Sequence, residues 1–242
     1  MPSSTVDDAA TVVLVHGAWH GAWCFDRVVP QLRDAGIDAV AVDLARTGFT
    51  DDVAAVRAAL DAIDGHAVLL GHSYGGAVIT DAGVHPAVRH LVYLCAFALT
   101  EDEACVSAAT GAPGANAISH EGRPNLGHAM VQHDDGTSTL TRDGARECLY
   151  ADVDDETFDW AYARLTPQLN ASLAAVPRAI AWRTRPSTYV VCANDQGVHP
   201  DLQRIMARRC TEQGEWPVGH SPFANRPELV AELLVDLARP TG

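Results

Sequence analysis

Gly71-His72-Ser73-Tyr74-Gly75 fits the pattern G-x-S-x-G, and Gly76 follows it. Just before it, the apolar stretch HAVLLG (66–71) reads as a strand; just after it, YGGAVITDAGV (74–84) reads as a helix despite its two glycines. A serine at such a junction sits on a tight strand-to-helix turn that lifts its hydroxyl above the sheet edge. The helix N-terminus then offers oriented N–H groups where negative charge would develop. Five residues of this kind arise by chance. Framed by strand, helix and paired glycines, they mark Ser73 as a candidate nucleophile.

A serine hydroxyl attacks poorly unless a base takes its proton, and that base needs an acid to orient it. In a strand-turn-helix setting the three follow one another as serine, acid, histidine. Asp195 directly follows the strand-like STYVVCAN, and His220 lies in PVGHSPF, before the last helix. Both fall at the carboxyl edge of the expected sheet, where open α/β folds place ligands. Glu101, Asp102 and Glu103 follow the run at 88–97 and offer an alternative acid at another sheet end. His66, His85 and His90 sit at element ends and read as surface residues. His120, His128 and His133 lack the spacing or cysteine companions of a metal site, with His128 kept as a residue that could face a pocket. No metal and no cofactor are expected.

The reaction also needs donors for an oxyanion. One is the N–H of Tyr74; the other should come from the loop after an early strand, opening with His-Gly. The stretch VVLVHGAWHGAW (12–23) contains HGAW twice. The first copy, His16 to Trp19, is expected to build that loop with Ala18 as donor. The second, His20 to Trp23, is expected to turn the chain into a helix with Trp23 as its anchor, away from the reaction.

The elements that must hold these residues alternate. TVVLVH (11–16), IDAVAVDL (37–44), 66–71 and VRHLVYLCAF (88–97) read as strands, separated by helices at 21–36, 51–63 and 74–84. That rhythm implies βαβ units and a parallel sheet. It breaks over residues 100–184, where a hairpin around Asp135-Gly136 and a helix at 154–165 are expected. It resumes with a strand at 187–195, a helix at 200–209, a short strand at 212–217 and a last helix at 227–239. The reading is an α/β core from 1–99 and 185–242, carrying an inserted cap at 100–184.

At 242 residues the chain suits one domain. Its net charge of −14 argues against nucleic acid, and no apolar run is long enough for a membrane span. MPSSTVDDAAT lacks the features of a secretory signal, so the cytoplasm is the expected location. All 17 positive side chains are arginine, which excludes any mechanism built on a catalytic lysine. The six scattered cysteines read as reduced thiols. An apolar stripe on the last helix would serve a homodimer or the core equally well.

Together these segments resemble the α/β-hydrolase superfamily, and within it the small-cap branch of plant hydroxynitrile lyases, methyl-salicylate esterases and related bacterial esterases. The resemblance rests on VLVHGAWHGAWCF, AVDL, GHSYGGAV, YLCAF, LTPQ, NDQ and GHSPF. It implies an α/β-hydrolase fold, a Ser73-Asp195-His220 triad and an oxyanion hole from Ala18 and Tyr74. The lyases of this branch place a lysine after the catalytic histidine and a threonine in the oxyanion loop. Here Ser221 and Ala18 stand at those places, which favours ester hydrolysis over cyanide elimination. The expected substrate is a small to medium hydrophobic carboxylic ester. Trp19, Phe97, His128, Met130, Trp160 and Phe223 are the expected pocket walls. Lactone, thioester or lyase chemistry on the same frame, and a non-catalytic ligand-binding homologue, are the alternatives.

Overall fold

The computed structural model describes residues 9–111, 114–119 and 121–239; residues 1–8 of the segment read for a signal, and His120, lie outside the described residues. Six strands form one parallel sheet in the order β2-β1-β3-β4-β8-β9. They are β1 Thr11–Val15, β2 Ala39–Val42, β3 Ala67–His72, β4 Val88–Leu94, β8 Ser187–Cys192 and β9 Glu212–Trp216. The central β3 and β8 are buried at every position, as continuous apolar strands in a sheet covered on both faces must be. The outer β9, Glu-Gln-Gly-Glu-Trp, is exposed and acidic, which blunts an edge that would otherwise pair with another chain.

From β1 the chain steps outward to β2, then returns past β1 to β3 and proceeds the other way to β4. Right-handed crossovers therefore place the helices after β1 and after β3 on opposite faces. Val29–Asp34 packs with Pro227–Ala238, and Phe49–Asp61 with Tyr74–Ala82. The reversal of strand order between β1 and β3 opens a crevice at their carboxyl ends. The loops leaving those two strands carry Ala18 and Ser73.

Between β4 and β8 lie short helices and a second, antiparallel sheet: β5 Met130–Gln132, β6 Thr137–Leu140 and β7 Gln168–Leu169. The hairpin turn at Asp135-Gly136 forms where its sequence predicts, Gly136 taking φ +80° and the Asp135 carboxylate accepting from Thr137 N at 2.9 Å. Two expected elements change. The helix read over 21–36 splits into a 3-10 turn, Ala22–Phe25, and a helix, Val29–Asp34, whose first turn takes Pro30, where a missing N–H costs nothing. The strand read to residue 97 stops at Leu94, because Cys95 turns to φ +40°. Among the described residues no helix is long and apolar enough to cross a membrane.

Candidate active site

Ser73 takes φ +51° and ψ −121°, a conformation that costs a side-chain-bearing residue about 1–3 kcal/mol. Its neighbours allow it by having no side chain. A Cβ on Gly71 would lie 2.5 Å from Gly75 O, and one on Gly75 2.5 Å from Val15 O. On Gly76 it would lie 2.6 Å from Ala96 Cβ. The Ser73 carbonyl accepts from Gly76 N at 2.9 Å and Phe97 N at 3.1 Å, which fixes the turn. The loop after β1 crosses against it: a Cβ on Gly17 would stand 3.0 Å from Ser73 Cβ.

His220 Nδ1 donates to Asp195 Oδ2 at 2.8 Å, with both side chains buried. In the neutral ring this leaves the lone pair on Nε2. Asp195 Oδ1 accepts from Gly197 N (2.7 Å) and Val198 N (2.9 Å), and Oδ2 also from Gln203 Nε2 (2.7 Å). A buried carboxylate needs such partners, since an uncompensated charge there is costly. Arg123 donates to the Asp195 carbonyl. The His220 carbonyl accepts from His72 Nε2 at 2.8 Å and from the Cys95 thiol at 3.4 Å. Burial pushes the Cys95 pKa well up and the His72 pKa well down, so both stay neutral. Asp152 secures the histidine loop, accepting from Gly219 N at 2.6 Å and Asn225 Nδ2 at 2.9 Å.

His72, Cys95 and His220 bring nitrogen and sulfur atoms within 4.8 Å of one another. Their hydrogen bonds tie the group to the His220 loop: His72 Nε2 and Cys95 Sγ hold its backbone, and His220 Nδ1 serves Asp195. Two of the three alternative acids are engaged elsewhere, and Asp102 is solvent-exposed. Glu101 forms a surface fork with Arg183 (3.0 and 2.6 Å), and Glu103 a buried one with Arg209 (2.6 and 2.7 Å).

Ser73, Ala18 and Tyr74 all open on one cavity of about 480 Å³. Tyr74 is fastened by its hydroxyl, which donates to Asp52 Oδ2 at 2.6 Å. Asp52 also accepts from Arg46 N at 2.7 Å, while burial raises its pKa. Trp19 takes φ +61°; its indole N–H donates to Ser138 O on β6 at 3.0 Å, and its carbonyl accepts from Thr166 N at 2.8 Å. Trp19, Phe97 and Met130 line the cavity, together with Leu126, Val198 and Leu202.

Three expected walls are elsewhere. Trp160 packs edge-on against Trp23, with Arg164 over its ring, because its helix turns that face toward the first 3-10 turn. Phe223 is buried behind the site against His72, His20 and Phe25. His128 is solvent-exposed in the short helix Leu126–Ala129, where Leu126 and not His128 lines the cavity. Gln203 and Arg123 escaped the sequence reading. Gln203 had a signal: a lone amide on the inward face of Pro200–Ala207, beside Leu202, Met206 and Ala207. Arg123 had none, lying in a Gly-Pro-rich stretch without periodicity.

A serine on a strained elbow at the β1–β3 crevice, preceded by a histidine that holds the loop of the Asp-paired His220, sits on the open parallel sheet of an α/β-hydrolase fold. The chain matches the Alpha/beta hydrolase family over residues 12–233 and belongs to it. It is 27% identical to Alpha/beta hydrolase nvfD of Aspergillus novofumigatus, covering 94% of this chain and 96% of that protein. It is 28% identical to a pyrethroid hydrolase of Sphingobium wenxiniae, over 94% of this chain and 87% of the relative. Among solved structures, a pyrethroid hydrolase from Sphingobium faniae JZ-2 superposes with a TM-score of 0.81 at 24% identity, covering 95% of this chain and 97% of that one.

Proposed function

We propose that the chain is a serine hydrolase that cleaves small to medium hydrophobic carboxylic esters through an acyl-enzyme. His220 Nε2 takes the Ser73 proton as Oγ attacks the ester carbonyl, and Asp195 holds the imidazole with its proton on Nδ1. The N–H groups of Ala18 and Tyr74 receive the oxyanion, each worth about 3–4 kcal/mol to the transition state. His220 then protonates the departing alcohol, and water, activated by the same histidine, releases the acid.

One observation carries this reading. Ser73 opens on the same cavity as Ala18 and Tyr74, and His72, the residue before it, holds the backbone of His220, whose Nδ1 is held by a four-times hydrogen-bonded carboxylate. The cavity supports the substrate class: Trp19, Phe97, Leu126, Met130 and Leu202 offer apolar surface. The pyrethroid hydrolases among the relatives make bulky apolar esters the first to assay. Elimination of cyanide is not favoured, because the residue after His220 is the buried Ser221 and the sequence holds no lysine.

The test is a panel of p-nitrophenyl and aryl esters of graded acyl length, run with fluorophosphonate labelling. Wild-type protein should hydrolyse the apolar members and take the label on Ser73, and Ser73→Ala should do neither. Unchanged turnover in Ser73→Ala would overturn the assignment.

A further inference from the structure

The two histidines of the repeated His-Gly-Ala-Trp have no part in the triad, yet both are fully buried against the oxyanion loop. His16 Nδ1 lies 2.8 Å from Gly17 O, and its Nε2 lies 3.1 Å from Leu44 N. His20 Nδ1 lies 2.7 Å from Ala18 O, and its Nε2 lies 2.7 Å from the Tyr150 hydroxyl. A carbonyl only accepts, so both rings carry hydrogen on Nδ1. At His16 the Leu44 N–H takes up the Nε2 lone pair; the Asp43 carboxylate, 3.6 Å from Nε2, is beyond hydrogen-bond range. Burial pushes the His20 pKa down to about 3, so its ring is neutral and Tyr150 must be the donor to Nε2.

The carbonyls so held are the two that flank Ala18. Gly17 O belongs to the same peptide plane as the Ala18 N–H, and in a trans peptide the two point in opposite directions. Holding Gly17 O therefore aims the Ala18 N–H. Ala18 O belongs to the next plane, which leads into Trp19 at φ +61°. Gly17 has no side chain to resist rotation, so these bonds, with the His20 N–H 3.4 Å from Gly17 O and the Thr166 N–H on the Trp19 carbonyl, fix the planes of the loop.

We propose that His16 and His20 are paired positioning residues of the oxyanion hole, each gripping through Nδ1 one of the carbonyls on either side of Ala18. Tyr150 sets the second grip by fixing the His20 tautomer. The proposal rests on the ester-hydrolase reading above, and it gives both copies of the repeat a share in the reaction.

The experiment compares wild type, His20→Ala, His20→Asn and Tyr150→Phe. It measures kcat and KM on p-nitrophenyl acetate and the affinity for an aryl trifluoromethyl ketone, whose serine adduct places an oxyanion in the hole. Loss of one oxyanion donor costs about a hundredfold or more, so a misaimed donor in His20→Ala should lower kcat about 10–100-fold. Ketone affinity should fall by a similar factor, with KM little changed and the pH midpoint of kcat/KM unmoved. His20→Asn, whose amide can donate from the Nδ1 position, should recover most of the loss. Tyr150→Phe should show a smaller, parallel fall in kcat and ketone affinity, and it carries the test if His20→Ala does not fold. Folded variants with wild-type kcat and ketone affinity, or a loss confined to KM, would overturn the proposal while leaving the hydrolase reading intact. A wild-type protein inert to every ester and to the fluorophosphonate would overturn both.

Discussion

Gln203 Nε2 stands 2.7 Å from Asp195 Oδ2, the oxygen that also faces His220 Nδ1. The same amide reaches Val198 O at 2.8 Å, and its oxygen accepts from Cys192 N at 2.9 Å. One buried side chain thus ties the end of β8, the loop after it and Asp195 together. Replacing it with leucine strands the Cys192 N–H and removes a donor from a buried carboxylate. Gln203→Leu should lose about 1–3 kcal/mol in urea unfolding and several-fold in kcat. Wild-type stability would count against this role.

Glu103 and Arg209 form a buried fork, the side chains 7% and 12% exposed, and Arg209 also donates to Ala98 O. Breaking such a pair strands the other charge. Glu103→Ala should therefore cost about 3–5 kcal/mol of stability while kcat of the folded fraction stays near wild type. A thousandfold loss of kcat with intact stability would instead make Glu103, not Asp195, the acid of the proposed triad.

Two glycines separate packing from backbone strain. Gly36 has φ +78° and open space where a Cβ would stand; Gly75 would place its Cβ 2.5 Å from the Val15 carbonyl. Gly36→Ala should cost about 1–2 kcal/mol by thermal melting and leave activity unchanged. Gly75→Ala should cost more than about 4 kcal/mol or fail to fold, since β1 and the helix after Ser73 cannot both keep their places. Equal melting temperatures for the two would contradict this.

Acid should weaken the fold by a traceable route. The folded pKa of His20 is about 3, below the ordinary 6.5 of the unfolded chain, because burial excludes the proton. Below pH 6.5 the unfolded chain gains a proton that the native state refuses, so stability present at neutral pH drains away as pH falls toward 3. At about 1.4 kcal/mol per pH unit this group removes at most about 5 kcal/mol, and His72, also held neutral by burial, acts in the same direction. Urea unfolding at pH 7, 5.5 and 4.5 should show the decline, with a shallower slope for His20→Asn. Parallel slopes would contradict the account.

What the sequence makes legible follows from how local each cause is. Ser73 and Asp195 stand out because each lies just past a continuous apolar run, and His220 because it lies in the loop before the last helix; such runs and loops are local properties of the sequence. The Asp135-Gly136 hairpin is legible for the same reason. The walls Trp160 and Phe223 are not, since which way a ring faces depends on packing partners far along the chain: Trp160 meets Trp23, and Phe223 meets His72. Pro30 offered a local warning that the helix over 21–36 would break. The left-handed turn of Cys95 offered none, being fixed by backbone geometry at the sheet edge.

Trp19 joins the loop after β1 to β6 through its indole and to the segment before β7 through its carbonyl, one residue from Ala18, the proposed oxyanion donor. Under the proposed mechanism, selectivity and turnover are therefore mechanically coupled. A substitution near Ser138 or Thr166, made to reshape the entrance for a larger substrate, should then also pull on the Ala18 peptide of the proposed oxyanion hole. Tailoring that ignores this staple will trade speed for scope. Reshaping the opposite wall, at Leu126 or Leu202, leaves the staple untouched.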